Sequence, residues 1–160
     1  MRKVEFTPIR LTDFADIFSI RIENDTLSEF QKFLIMFRNT DDEYIKNDFN
    51  RIVEAVSKIA EQGALERFFR NEGKYKDRVY AIPLDIIKRD HTLHGTLRLY
   101  CIRISDKLLI LGGGGIKTTD KYEEDDNLLN SVKTLQSVDK ELEDFDPIDD
   151  TLLNLTVYID

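Results

Sequence analysis

Along residues 17–22, IFSIRI, the chain alternates, with Ile17, Ser19 and Arg21 on one side and Phe18, Ile20 and Ile22 on the other. That period of two predicts a strand. An earlier segment, VEFTPIR from Val4, predicts another, with Pro8 pushing it to an edge because proline has no N–H for a ladder. The period then lengthens. Leu27, Phe30, Phe33, Leu34 and Phe37 recur at three and four, which predicts a helix starting near Leu27. Asp25 or Thr26 is placed to cap it, with Glu29 completing a capping box. After a short polar turn, Thr40 or Asp41 caps a second, longer helix, whose stripe is Ile45, Phe49, Ile52, Val53, Val56, Ile59 and Ala60. Gly63 ends it. Two such helices read as an antiparallel pair, and their apolar stripes as core.

The middle of the chain returns to strands. Residues 78–84, RVYAIPL, form one, closed by Pro83. In 96–104, TLRLYCIRI, Leu97, Leu99, Cys101 and Arg103 alternate against Arg98, Tyr100, Ile102 and Ile104. A turn at Ser105-Asp106 leads into KLLIL, residues 107–111, which predicts a hairpin. Gly112 to Gly115 follow. Asp125 or Asp126 then caps a helix with Leu128, Leu129, Val132, Leu135, Val138 and Leu142 on one face, and the run from Leu153 predicts a last strand. The order β, α, α, β, β, β, α, with extra strands at both ends, defines an α+β fold. It is expected to be a mainly antiparallel sheet with its helices segregated on one side: a helix pair on one face, and a C-terminal helix. One domain, 1–160, is expected, with a core over about 15–143 and an acidic C-terminal extension over about 144–160.

Composition narrows the class. Hydrophobic residues make up 41% and charged residues 34%, a globular balance rather than a disordered one. No apolar run approaches the ~20 residues of a membrane span. The start, MRKVEFTPIRLTDF, lacks the apolar region of a secretory signal, so a cytoplasmic protein is expected. With Cys101 as the sole cysteine, an internal disulfide framework and a cysteine-based zinc finger are excluded.

The net charge of -8 is unevenly spread: residues 1–63 carry -3, 64–122 carry +5 and 123–160 carry -10. An acidic chain is a poor long-range nucleic-acid binder, but a basic middle leaves room for a phosphate-binding face. Equally, the middle can pair with the acidic end of its own chain.

Few residues carry chemistry. GGGGIKT resembles a phosphate loop but fails the pattern, because Ile116 separates the last glycine from Lys117. The glycines read better as a bulge or a sharp bend at a crowded sheet end. His91 and His94, with Asp90 as a third candidate, sit in a polar connection that reads as an exposed loop rather than a metal site. Cys101 reads as a small buried hydrophobe. Arg98, Tyr100, Arg103, Lys117, Lys121 and Tyr122 stand apart because a hairpin would gather several of them. Arginine, lysine and tyrosine on a sheet can cleave RNA without metal: a base takes the 2′-hydroxyl proton, a cation stabilises the phosphorane, and an acid protonates the leaving oxygen. The plainer reading has Tyr100 packed against helices and the arginines paired with residues 123–126.

The stretch GTLRLYCIRISDKLLILGGGGIKTTDKY, residues 95–122, has a small residue before an arginine, then an aromatic residue, an acidic turn, an apolar strand, a basic residue and a tyrosine. It resembles the RelE/ParE superfamily of bacterial type II toxins, in its RelE/HigB-like branch. Ile82-Pro83-Leu84 look like the end of the strand before it, and the order of elements over about 15–143 is similar. The resemblance implies a metal-independent, ribosome-dependent mRNA endoribonuclease neutralised by an antitoxin, with ribosome and mRNA as further partners, no cofactor and no membrane. By the same resemblance Arg98 stabilises the phosphate in the transition state, Lys117 and Tyr122 are the other catalytic groups, and Arg103, Lys121 and Tyr100 contact RNA phosphate. The acidic end would fold over the basic face or contact a partner. The alternative is a non-catalytic, protein-binding member of the same fold, a ParE-like inhibitor or an orphan interaction module.

Overall fold

The computed structural model describes residues 1–69, 77–83, 97–117, 126–145 and 150–160. Six strands, β1 (Arg2–Leu11), β2 (Asp16–Ile22), β3 (Val79–Ala81), β4 (Leu97–Ser105), β5 (Leu108–Ile116) and β6 (Thr156–Ile159), form one sheet in the order β3-β4-β5-β2-β1-β6. Three helices accompany it: α1 (Glu29–Phe37), α2 (Glu43–Gln62) and α3 (Asp126–Leu142). The sheet is mostly antiparallel, and the expected α+β class holds. Its one parallel contact among the described residues joins β2 to β5, Asp16 opposite Leu108 through Ser19 opposite Leu111. The last strand returns as expected, β6 lying antiparallel to β1 from Arg2 to Glu5. Because β6 covers only that half of β1, Pro8 falls in the uncovered half, where its missing N–H costs no ladder bond to β6.

The helices are not segregated on one side. Phe30, Phe33 and Phe37 of α1 and Ile45, Ile52, Ala55, Val56 and Ile59 of α2 pack with Leu97, Leu99, Cys101, Leu109 and Leu111. Leu128, Val132, Leu135, Val138 and Leu142 of α3 pack on the other face, with Phe18, Ile20, Tyr100, Ile102, Leu108 and Ile110. The physical reason is in the strands themselves. Consecutive residues of β4 and β5 are apolar, so both faces must be covered, and one helix layer can cover only one.

Helix starts differ from expectation by a few residues. Ser28 caps α1: its hydroxyl accepts from the Gln31 N–H while the Gln31 side chain accepts from the Ser28 N–H, a complete capping box. Asp42 caps α2, accepting from the N–H groups of Tyr44 and Ile45. Gly63 ends it with φ 102°, a conformation that glycine reaches without steric cost. On α2, Val53 is exposed, and the buried face holds Asp48 and Ala55 instead.

Beyond Ser19 and Leu111 the parallel strands part, β2 staying with β1 and β5 with β4. The fully buried Ser19 hydroxyl closes this fork, donating to the Leu111 carbonyl (3.0 Å) and accepting from the Phe30 N–H (3.0 Å). One side chain therefore satisfies both a strand end and a helix start.

Candidate functional site

The hairpin β4–β5 holds most of the residues singled out above. Its register sets Leu97 opposite Ile116, Arg98 opposite Gly115 and Leu99 opposite Gly114, then steps to Cys101 opposite Leu111. Tyr100 of β4 thus faces both Gly112 and Gly113 of β5, so the glycine run lies inside the strand and forms a β-bulge. Glycine is required there. A Cβ on Gly114 would lie 1.9 Å from the Arg98 carbonyl oxygen, and one on Gly112 would meet the buried Leu135 side chain at 2.7 Å. A Cβ on Gly115 would only touch Leu128, at 3.6 Å.

This register brings Arg98 and Lys117 to the same end of the hairpin. Both are partly buried. Arg98 Nη1 donates to the carbonyl of Leu97 at 3.2 Å. Tyr122 and Lys121 lie outside the described residues, as do Asp90, His91 and His94 and, of the residues 123–126 expected to pair with the arginines, all but Asp126. Among the described residues, no group of three or more His, Cys, Asp or Glu side chains is arranged to hold a metal ion. None of the described helices is long and apolar enough to cross a membrane.

Tyr100 shares its face with Arg98 by alternation but is buried in the core under α3. That is the plainer of the two readings the sequence allowed for it. Arg103, an odd number of residues from Arg98, lies on the opposite face at the turn end. Its Nε donates to the carbonyl of Ala64 (2.7 Å), its Nη2 pairs with Asp106, and its guanidinium lies 6.0 Å from the Phe69 ring centroid. The Ala64 N–H donates to the Asp106 carbonyl at 2.6 Å. These bonds fasten the hairpin turn to the end of α2.

Two functional-looking residues were not singled out in advance. Asp48 is buried on α2, and its Oδ2 accepts from the Leu97 N–H at 3.0 Å. Asp139 is buried on α3, and its carboxylate accepts from the Arg78 backbone N–H (3.1 Å) and Nε (2.7 Å). The second pair joins the basic middle to the acidic end of the chain, as the charge distribution allowed. A charged residue at an otherwise core position of an amphipathic stripe was the available signal for both. Cys101 is buried, and burial pushes its thiol well above the ordinary range, with a hydrogen bond from the Tyr80 backbone opposing in part. It is inert as a nucleophile.

No family model matches this chain, and neither a curated protein nor a solved structure matches it to a significant degree.

Proposed function

We propose that the chain is a RelE/HigB-like toxin, a metal-independent endoribonuclease that cuts ribosome-bound mRNA and is held inactive by an antitoxin protein in the bacterial cytoplasm. The observation that carries this reading is the β4–β5 register, which sets Arg98 opposite Gly115 and so draws Arg98 and Lys117 to one end of one hairpin. The order β2, α1, α2, β3, β4, β5, α3 also follows the element order on which the resemblance rests. In the proposed reaction a base, Lys117 or Tyr122, takes the 2′-hydroxyl proton, and the 2′-oxygen attacks phosphorus. Arg98 stabilises the charge gathered on the phosphorane, and an acid protonates the departing 5′-oxygen. Tyr100 and Arg103 are left out of this chemistry, since one is core and the other is engaged on the opposite face.

The second reading, a non-catalytic protein-binding module, draws support from those same two residues, which add no cationic or phenolic group to the Arg98 end. Tight, inducible expression of the wild-type chain without antitoxin separates them. Growth arrest with new transcript ends inside translated mRNA, produced by purified protein equally well with EDTA or magnesium on intact ribosomes, is the expected result. Growth arrest with intact transcripts favours the binding module. A folded chain that leaves growth and transcripts untouched rejects the toxin reading.

A further inference from the structure

Among the described residues β6 ends the sheet, pairing with β1 alone. The Glu23 N–H donates to the Lys3 carbonyl (2.8 Å), so the odd-numbered residues at this end of β1 bond β2 and the even-numbered ones face β6. Arg2 and Val4 stand opposite Ile159 and Val157. The backbone groups of Val157 and Ile159 therefore point inward to β1, and those of Thr156 and Tyr158 point outward. Native sheet edges are commonly blunted by a charged side chain, a proline or a bulge. TVYI, residues 156–159, holds no charge and no proline, and its register with β1 runs without a shift.

Side chains and charge mark the same edge. Val157 and Ile159 are buried with α3, whereas Tyr158, on the other face, is 50% exposed, and Leu153, just before the strand, is 52% exposed. Residues 143–160 hold six acidic side chains and no lysine or arginine, and Glu143, Asp144 and Asp160 are exposed. Against them stand Arg2 and Lys3 on β1, and Lys3 is already paired with Glu5 at 3.5 Å. β5, β2 and β1 separate β6 from β4, so β6 does not cover the Arg98 end. We infer that β6 is a docking edge for an extended, lysine- or arginine-bearing segment of a partner protein, which adds to the sheet as a further strand. Main-chain bonds to Thr156 and Tyr158 attach it, Tyr158 and Leu153 offer apolar contact, and the acidic surroundings select a basic segment over an acidic one. That this partner is the antitoxin rests on the toxin reading; the strand addition does not.

The test is hydrogen exchange in the isotope-labelled chain, with a short synthetic peptide alternating lysine and valine as the probe. In the free chain the Val157 and Ile159 amides should be protected, and those of Thr156 and Tyr158 should exchange freely. The peptide should slow exchange at Thr156 and Tyr158 about tenfold or more, the same peptide with glutamate for lysine should not, and added salt should weaken the effect. Tyr158→Pro removes an outward N–H without breaking a bond to β1, so it should abolish peptide binding with the fold kept. Tyr158→Lys, which sets a cation on the edge, is the second variant if the proline chain fails to fold. Thr156 and Tyr158 amides already protected in the dilute free chain would show the edge closed and overturn the inference. Protection that rises with protein concentration alone would assign the edge to a second copy and overturn it as well. So would equal binding of the two peptides, or no binding of the basic one. None of these readouts depends on mRNA cleavage: a chain that binds the basic peptide and leaves transcripts intact loses the toxin reading and keeps the docking edge.

Discussion

The two ends of the β4–β5 hairpin are built on opposite principles. At the turn end, Arg103 binds the Ala64 carbonyl, Asp106 and the Phe69 ring at once, so its charge is spent on fastening the turn to α2. At the other end, the strands carry a glycine bulge, and Arg98 Nη1 donates to the carbonyl of Leu97. The same residue type is a structural clamp at one end and, in the proposed function, a phosphate ligand at the other. What differs is the place on the hairpin: Arg103 ties the turn to Ala64 and Asp106, while Arg98 lies beside the glycine bulge at the end shared with Lys117.

The comparison can be broken most severely at Gly114. Adding a methyl group there drives it into the backbone of Arg98, so Gly114→Ala should lower stability by at least ~3 kcal/mol, whereas Gly115→Ala, with ordinary contact to Leu128, should stay within ~1 kcal/mol. Urea unfolding of both variants checks this, and equal midpoints would mean that the bulge tolerates a side chain. Next in size is Asp139→Ala, which leaves Arg78 without its partner beneath α3 and should cost about 3 kcal/mol, against a small change for an exposed pair such as Lys58–Glu61. Arg103→Ala should follow at about 1–3 kcal/mol, from the loss of the carbonyl bond and the ion pair at the turn end.

The alternation of apolar residues was enough to place both strands of the hairpin and, Val53 apart, the apolar stripes of the helix pair. It also held information that a two-layer expectation set aside: Leu97, Leu99 and Cys101 on one face and Tyr100 and Ile102 on the other are too apolar for a face left to solvent. Parity likewise separates Arg98 from Arg103, since five residues of strand put them on opposite faces. The parallel β2–β5 contact was not legible, because it depends on which strands become neighbours across more than ninety residues rather than on any local pattern. Nor were the roles of Ser19 and Asp48, single polar residues whose partners come from distant elements. The cap of α1 was displaced because Asp25 and Ser28 compete with similar chemistry. Asp25 instead accepts from Lys32 Nζ at 2.7 Å.

The smallest expected effect concerns pH. Burial raises the Cys101 thiol above its ordinary 9.0, so in alkali the unfolded chain releases this proton before the native one does. Its contribution to stability is thus complete below about pH 9 and declines as pH rises beyond it. Cys101→Ala should flatten that alkaline decline in a series of unfolding curves, and a thiol reagent should label native protein only at the rate of unfolding. Rapid labelling of the folded chain at neutral pH would contradict the burial of Cys101.

The contrast between the two hairpin ends comes down to Arg98 against Arg103. Wild type, Arg98→Ala and Arg103→Ala are expressed at equal soluble, folded levels, and transcript cleavage is measured at a temperature well below the melting point of all three. Loss of a cation from the transition state is worth ~3 kcal/mol, so Arg98→Ala should cleave at least about a hundredfold more slowly with its fold intact. Arg103→Ala should melt earlier yet cleave at close to the wild-type rate. An Arg98→Ala chain that cleaves as wild type does, or an Arg103→Ala chain that loses cleavage while fully folded, would contradict the account.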